Sequence, residues 1–529
     1  MTVATEQLPA PDAPSRPGLS YLALSGVSGA DDPPAPTIPA QLERVAARAP
    51  GLDAIRWVDG AGTVRSVTWR ELDDRTRCAA AGIALRAPAG GRVGILCDDR
   101  VSWIVAAFAV ARTGCAVVPI PAGPVSSITA RCRQVDLDLL LVADDSRYAT
   151  LDHLAGARVV TVGALAGHAA GGVPQVTVDP DDPFLCQFTS GTTGTPKVAV
   201  LSHRAALGSA HEYVRGAGGR AGDALFNPLP LDHVGGSVAG LVGALTLGGT
   251  YVAVGRFDPA TVAGVIARTA PTIVGLVPTM IIDMLERGNA RPGDFASVVS
   301  VVGGATSVDP ALIDRVEDAL GIRFLVGYGQ SEAPCLALSG YDDPQPERTR
   351  TIGRPAPGRD YCVAGSDGAV VADGEVGELC VRGPTIMSGY LVWKGETLRV
   401  EPAEDGQGWL RTGDLVSMCE GVLTFHARLR EVVIRGGENL YPAAIEQILS
   451  GCSAVDEVSV FGVPDERLGE RLVAAVRPAC GESDLAAIEE FAAEHLPRVM
   501  RPAQWFVVDD FPRTGTGKIR KYDLAARFH

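Results

Sequence analysis

Alternation of strand-like and helix-like segments between residues 272 and 329 limits the fold more than any other feature of this chain. "TIVGLV" has the β-branched texture of a strand, "PTMIIDMLERG" of a helix, "SVVSVV" of a strand, "DPALIDRVEDALG" of a helix and "IRFLVGYG" of a strand. In the second helix Asp309 suits the N-cap, Pro310 the first helical position and Gly321 the end, while Leu312, Val316 and Leu320 share one face. Strands and helices at this spacing predict a parallel sheet covered by helices. Ligands of such sheets sit beyond the carboxyl ends of the strands, where "VVGGA" (301–305) and "GYGQSE" (327–332) fall.

A chain of 529 residues exceeds the span of one hydrophobic core, so more than one domain is expected. The texture changes near residue 426. "HARLREVVIRGGENLYPAAIEQIL" reads as a charged connector, a strand, a Gly-Gly turn and a helix opened by Pro442; "VSVFGVPDERLGERLVAAVRP" reads as two strands around a polar turn, followed by a helix over about 483–495. About a hundred residues after the connector suffice for a small α+β domain.

A net charge of −15 argues against a nucleic-acid surface built on bulk positive charge. The eleven cysteines include no C-x-x-C pair and read as buried thiols of a reducing, cytoplasmic protein rather than a disulfide or zinc framework. The N-terminus shows no basic region leading into an apolar core, and residues 1–36, rich in Pro and Ala, are expected to be a flexible tail. The uncharged stretch 234–255 is split by Gly248 and Gly249 into a helix-like piece and a "TYVAV" strand, which fits two buried elements rather than a membrane span.

The strand "PFLCQF" runs directly into "TSGTTGTPK" (189–197). Gly191 and Gly194 let backbone N–H groups converge on an anion, Thr189, Ser190, Thr192 and Thr193 add hydroxyl donors, and Lys197 adds charge. That set suits a polyphosphate. No Walker G-x-x-x-x-G-K-[ST] match exists, since Pro512 stands where "GTGKI" would need its first glycine.

With these segments in order, the chain resembles the adenylate-forming superfamily of acyl- and aryl-CoA synthetases, peptide-synthetase adenylation domains and luciferases. "FTSGTTGTPK" resembles its phosphate loop, "GYGQSE" its Y-G-x-T-E segment with Ser331 for Thr, "WLRTGDL" its T-G-D segment, "ARLREVVIRGGENLYPAAIE" its interdomain segment and "PRTGTGKIRK" its terminal lysine loop. The resemblance covers about 37–529 and is closest to a bacterial acyl- or aryl-CoA ligase. It implies an α/β fold: a large N-terminal domain (37–427) of helix-covered, mainly parallel sheets with a small β-barrel-like part, a hinge at 428–430, and a small mobile α+β domain (431–529).

The resemblance also implies roles. Glu332 would hold Mg²⁺ on ATP, as a hard oxygen ligand can. Asp414 would bind the ribose, Arg428 would reach it from the connector, Tyr328 would stack near the adenine, Gly329 would border the cofactor, and Ser331 would meet the α-phosphate. Lys518 would stabilise charge building between the carboxylate and the α-phosphate. Arg430 would be the hinge about which the small domain turns, and Gly436, Gly437 and Glu438 the turn that swings in for the thiol step. The implied ligands are ATP, Mg²⁺, coenzyme A and a small carboxylic acid.

"NPLPLDHVGGSVAG" (227–240) occupies the acyl-pocket position of the family. Gly235 stands where amino-acid-activating members place an aspartate, so an α-amino acid is not expected, although Asp232 lies nearby. His233 matches a position used near the carboxylate and thiol tunnel. The expected walls, Gly235, Gly236, Ser237, Gly303, Gly304, Ala305, Gly329 and Ala333, are small, which predicts room for a bulky apolar or aryl acid of specialised metabolism; the other reading is that these glycines serve the backbone.

Alternatives remain open within the sequence. An adenylating enzyme could load a carrier protein, or a member could perform thioester formation alone on a partner's adenylate. From other classes come a serine hydrolase, in which Ser331 within "GQSEA" would need a histidine such as His426, and a non-catalytic nucleotide-binding protein. The oligomeric state is not legible.

Overall fold

In the computed structural model, which describes residues 8–9, 18–24, 32–167, 176–189, 196–255, 257–288, 290–304, 310–435, 438–465, 467–479, 485–513 and 519–528, the predicted alternation at 272–329 forms one side of a nine-stranded sheet. Strands Ile273–Gly275, Ser300–Gly304 and Arg323–Tyr328 pair in parallel, separated by helices Pro278–Arg287 and Pro310–Leu320. The sheet continues in parallel through Ala224–Phe226, Thr250–Val252 and Asp53–Val58, and closes with antiparallel edges.

A second nine-stranded sheet has a parallel core of Leu139–Val142, Arg92–Leu96, Ala116–Pro119 and Pro183–Phe188, extended antiparallel by Val198–Ser202, Gly389–Lys394 and Thr397–Glu401. Helix Arg100–Arg112 is buried continuously from Trp103 to Arg112, which marks a helix covered on every side. It packs with helix Trp69–Ala84 in the main core shared by both sheets. Arg112, the one cation in that run, is held by Asp73, Glu43 and Thr76.

A five-stranded antiparallel sheet, Tyr21–Ala23, Asp360–Ala364, Val376–Arg382, Leu410–Cys419 and Val422–Arg428, supplies the barrel-like part. Within the segment 1–36, expected as a flexible tail, the described residues 21–23 form the first strand of this sheet. Tyr21 is 2% exposed and pairs with Cys362, Leu8 is buried, and the Pro9 carbonyl accepts from Trp409 Nε1 at 3.0 Å. The apolar "YLAL" has a sheet edge to cover, which the surrounding Pro/Ala composition conceals.

Stretch 234–255 folds as anticipated into helical and strand pieces, with a detail that periodicity does not reveal. Gly235–Val242 is a π-helix, continued by a short α-helix over Gly243–Leu247 and the strand Thr250–Val252. No helix among the described residues is long and apolar enough to cross a membrane.

After a short 3₁₀ turn at Leu429–Glu431, the last domain packs helices Pro442–Leu449 and Leu485–His495 on a sheet built around the hairpin Val455–Asp465 and Gly469–Pro478. Lys521 ties its final helix, Lys521–Arg527, to Glu446 at 2.7 Å and approaches Glu431 at 3.8 Å.

Candidate active site

Three sheets deliver one residue each to a common place. The parallel strand Arg323–Tyr328 ends in Tyr328, the antiparallel strand Leu410–Cys419 carries Asp414, and strand Gly389–Lys394 of the other nine-stranded sheet carries Tyr390. Tyr328 Oη donates to Asp414 Oδ2 at 2.7 Å. Burial, reinforced by the Asp414 charge, holds that phenol protonated well above its ordinary range.

Asp414 is 1% exposed and stands opposite Arg428 in the strand register. Arg428 Nε lies 3.1 Å from Oδ1 but off the line of its N–H, so this oxygen has an ion-pair partner and receives no hydrogen bond. A buried carboxylate oxygen without a donor is an unfilled acceptor. Gln330, two residues beyond Tyr328, shows the complement: its buried Nε2 has no acceptor. Sequence reasoning passed over Gln330, which occupies the variable position of "GYGQSE".

Glu332 is held at two points. Tyr390 Oη donates to Glu332 Oε1 at 2.8 Å, and the Met387 N–H donates to the Glu332 carbonyl at 2.8 Å. The Lys197 ammonium lies 4.7 Å from the Tyr390 ring centroid, within cation–π range. Lys197 is placed by a backbone bond from Thr189 N–H to its carbonyl at 2.8 Å, which closes the base of the 189–197 loop. Tyr390 therefore joins Lys197 to Glu332, a link that no motif spacing discloses.

Beside Tyr328 and Gln330 opens a largely apolar cavity whose walls include Tyr213, Leu229, Val234, Leu276, Val302 and Cys335. Of the expected wall residues, His233, Gly235, Gly303, Gly304 and Gly329 border it; Gly236, Ser237 and Ala333 are not among its lining. The glycines answer to their neighbours rather than to the cavity. A Cβ on Gly303 would sit 2.3 Å from Phe324 Cζ, on Gly304 2.0 Å from the Gly327 carbonyl, on Gly236 2.2 Å from the Pro230 carbonyl, and on Gly329 2.6 Å from the Cys335 nitrogen. The inference from small residues to a bulky acid is thereby corrected: these positions permit close backbone approach, and larger side chains shape the space.

His233 Nδ1 accepts from the Gly235 N–H at 3.1 Å, Ser237 Oγ donates to the His233 carbonyl at 3.0 Å, and burial keeps the ring neutral by lowering its pKa. Asn227 Nδ2 donates to the Gly235 carbonyl at 2.9 Å. Arg100, the first residue of helix Arg100–Arg112, gathers the carbonyls of Asn227, Pro228 and Leu229 and so fixes the "NPLP" turn. Burial raises the pKa of Asp232.

The segment after Glu332 turns sharply, with Cys335 at φ +54°, a left-handed value uncommon without glycine. Arg359, 1% exposed, holds it in place. Its guanidinium donates to the carbonyls of Pro334 (2.8 Å), Cys335 (2.9 Å) and Thr385 (3.0 Å), to Thr385 Oγ1 (2.7 Å), and to Ser209 Oγ. Ser331 does not meet His426, whose Nε2 lies 2.9 Å from Ser417 Oγ. The hydrolase pairing is absent from this geometry.

Arg430 lies in the 3₁₀ turn between the domains, where burial and the neighbouring Arg428 charge lower its pKa. Glu438 is exposed on a short strand opposite Arg435. Ser190, Gly191, Thr192, Thr193, Gly194, Ala305, Gly436, Gly437 and Lys518 lie outside the described residues.

Comparison with known proteins places this geometry. Residues 42–391 match the model of AMP-binding enzymes, and residues 444–518 that of the AMP-binding enzyme C-terminal domain. An indoleacetate–CoA ligase of Aromatoleum aromaticum is 35% identical over 68% of this chain and 69% of its own length. A feruloyl-CoA synthase of an Amycolatopsis species is 32% identical over 88% and 94%. The solved amide bond synthetase McbA from Marinactinospora thermotolerans superposes with a TM-score of 0.81 at 28% identity, covering 93% of this chain and 99% of that one. The alternating strands, the three-sheet junction and the small terminal domain are thus those of a member of the AMP-binding enzyme family, to which this chain belongs.

Proposed function

We propose that this protein is an ATP-dependent carboxylic acid:CoA ligase that takes an apolar or aryl acid, forms its acyl-AMP with release of pyrophosphate, and passes the acyl group to the CoA thiol with release of AMP. The observation that carries the nucleotide half is Asp414: a buried carboxylate, fixed by Tyr328, with an oxygen lacking a hydrogen-bond donor. Vicinal ribose hydroxyls are donors of the kind it lacks. The adjoining cavity supports an apolar acyl group, and relatives named for indoleacetate and ferulate agree with an aryl acid.

In the first step a carboxylate oxygen bonds to the α-phosphorus while the bond to pyrophosphate breaks. Lys197 answers to the phosphates, and Lys518 to the carboxylate and α-phosphate. Glu332 suits Mg²⁺ as a single hard ligand. Among the described residues no cluster of three metal-binding side chains exists, so the fit is to an ion that arrives with the phosphates. In the second step the thiolate bonds to the acyl carbon and the bond to AMP breaks, with Arg430 as the pivot that exchanges the small domain's faces. We place the protein in the cytoplasm, consistent with free thiols at every described cysteine.

Purified protein offered aryl and aliphatic acids is expected to release pyrophosphate only with acid present, and thioester only with CoA also present. ATP binding with no turnover on any acid would overturn the proposal; turnover of synthetic acyl-AMP alone would restrict it to the second step.

A further inference from the structure

A second cavity, of about 350 Å³, opens on the far side of helix His203–Gly216. Tyr213 of that helix borders the acyl cavity, whereas His211 and Arg215, one turn apart, border this one. Helix Ile38–Arg48 adds Arg44 and Arg48, also one turn apart, and Val45, Leu52 and Leu247 supply an apolar floor.

Two observations mark it as more than a basic surface. His211 is 5% exposed, lines the cavity, and neither ring nitrogen has a hydrogen-bond partner. A buried imidazole with both nitrogens unsatisfied is costly unless something fills the space beside it. The charges, moreover, do not cancel. Three guanidinium groups face one carboxylate, Asp32, which lies 3.3 Å from Arg48 and 3.9 Å from Arg44. Arg215 spends one N–H on the Gly219 carbonyl at 3.0 Å and has no carboxylate partner among the described residues.

We propose that this cavity binds a small dianion, a phosphate ester or a dicarboxylate, whose charged oxygens face Arg215 and Arg44 and accept from His211. Two net positive charges match a dianion, and the apolar floor accommodates a short carbon body. Burial, with Arg215 and Arg44 nearby and only Asp32 opposing them, lowers the His211 pKa to about 4. The ring is neutral when the cavity is empty. An anion beside it favours the imidazolium, so binding takes up a proton and tightens as pH falls.

The test is isothermal titration of full-length protein, with AMP saturating the nucleotide site, against sulfate, phosphate and succinate. One equivalent of anion is expected to bind. Preference for sulfate and phosphate assigns a phosphate ester, and preference for succinate a dicarboxylate. Arg215→Ala and, separately, Arg44→Gln are expected to weaken binding roughly tenfold or more while thermal unfolding stays cooperative. Sulfate, dianionic throughout, should bind more tightly at pH 5.5 than at pH 7.5 to the native protein, and without that dependence to His211→Phe. Absence of binding with AMP present, or unchanged affinity in both arginine variants, overturns the proposal. Acid-dependent pyrophosphate release by the same samples reports separately on the ligase reading.

Discussion

Tyr390, on strand Gly389–Lys394, and Glu332, in the segment that follows strand Arg323–Tyr328, are joined by a 2.8 Å hydrogen bond from phenol to carboxylate. The bond fixes the direction in which the acid presents its remaining oxygen, and the same ring meets the Lys197 ammonium on its face. The groups proposed to meet the phosphates and the metal, Lys197 and Glu332, are thereby joined through one aromatic side chain.

Tyr390→Phe keeps the ring and removes the bond. Hydrogen bonds to charged groups contribute about 1.5–3 kcal/mol, so a fall of roughly tenfold in acid-dependent pyrophosphate release is expected. Thioester formation from synthetic acyl-AMP should change little. A first-step rate within about twofold of the native enzyme would show that Glu332 is placed without this bond.

Asp414→Ala is expected to raise the KM for ATP by about tenfold or more, through loss of charge-assisted hydrogen bonds. It should also erase discrimination between ATP and its 2′- and 3′-deoxy analogues. Discrimination that survives the substitution would place the ribose elsewhere.

Gly303→Ala brings a methyl group to 2.3 Å from the Phe324 ring. Overpacking of this kind costs about 1–3 kcal/mol and should lower the melting temperature. Val302→Ala, by contrast, trims a side chain that lines the cavity and should move acid preference toward larger substrates. Both effects are read from a melt and an acid panel on the same preparations.

Among the described residues Arg359 gives its bonds to neutral acceptors, so its charge meets dipoles rather than a carboxylate. Arg359→Lys retains charge but not the planar fork, and is expected to destabilise the protein by about 3 kcal/mol or more. The Cys335 turn should loosen first, seen as faster thiol labelling of Cys335 than in the native protein.

Buried His203 makes a third case for stability. Its Nδ1 accepts from the Ile38 N–H at 3.3 Å, its Nε2 has no partner, and burial lowers its pKa to about 4. The folded state excludes a proton that the unfolded chain binds below about pH 6.5. Stability from this group is complete above that pH and is lost as pH falls toward 4, at up to about 1.4 kcal/mol per unit. Urea midpoints at pH 7, 6 and 5 should fall steadily, and less steeply in His203→Gln.

The parallel sheet was legible because periodicity and capping at Pro310 and Gly321 act locally, within one or two turns of chain. The 189–197 loop and Asp414 stood out in the sequence because their chemistry is concentrated in short segments. Tyr390, Gln330 and Arg359 did not. Tyr390 and Arg359 act on partners distant in sequence, and Gln330 owes its meaning to a missing partner that only three dimensions reveal. Tyr21–Ala23 was hidden by surrounding proline and alanine, although its partner strand at Asp360–Ala364 was waiting to be covered. The pocket glycines were visible but ambiguous, since a sequence does not say which way an absent Cβ would have pointed.

The direction of those absent Cβ atoms governs how this cavity, proposed to hold the acyl group, can diverge. Where glycine faces a cavity, successive point changes can tune the chamber by small steps. Here Gly303, Gly304 and Gly329 face carbonyls, a ring and a backbone nitrogen, so their replacement fractures the wall before it reshapes the interior. New acid preferences are accessible through Tyr213, Leu229, Leu276 and Val302, each of which reaches inward from a different element. The chamber is a rigid frame with exchangeable panels.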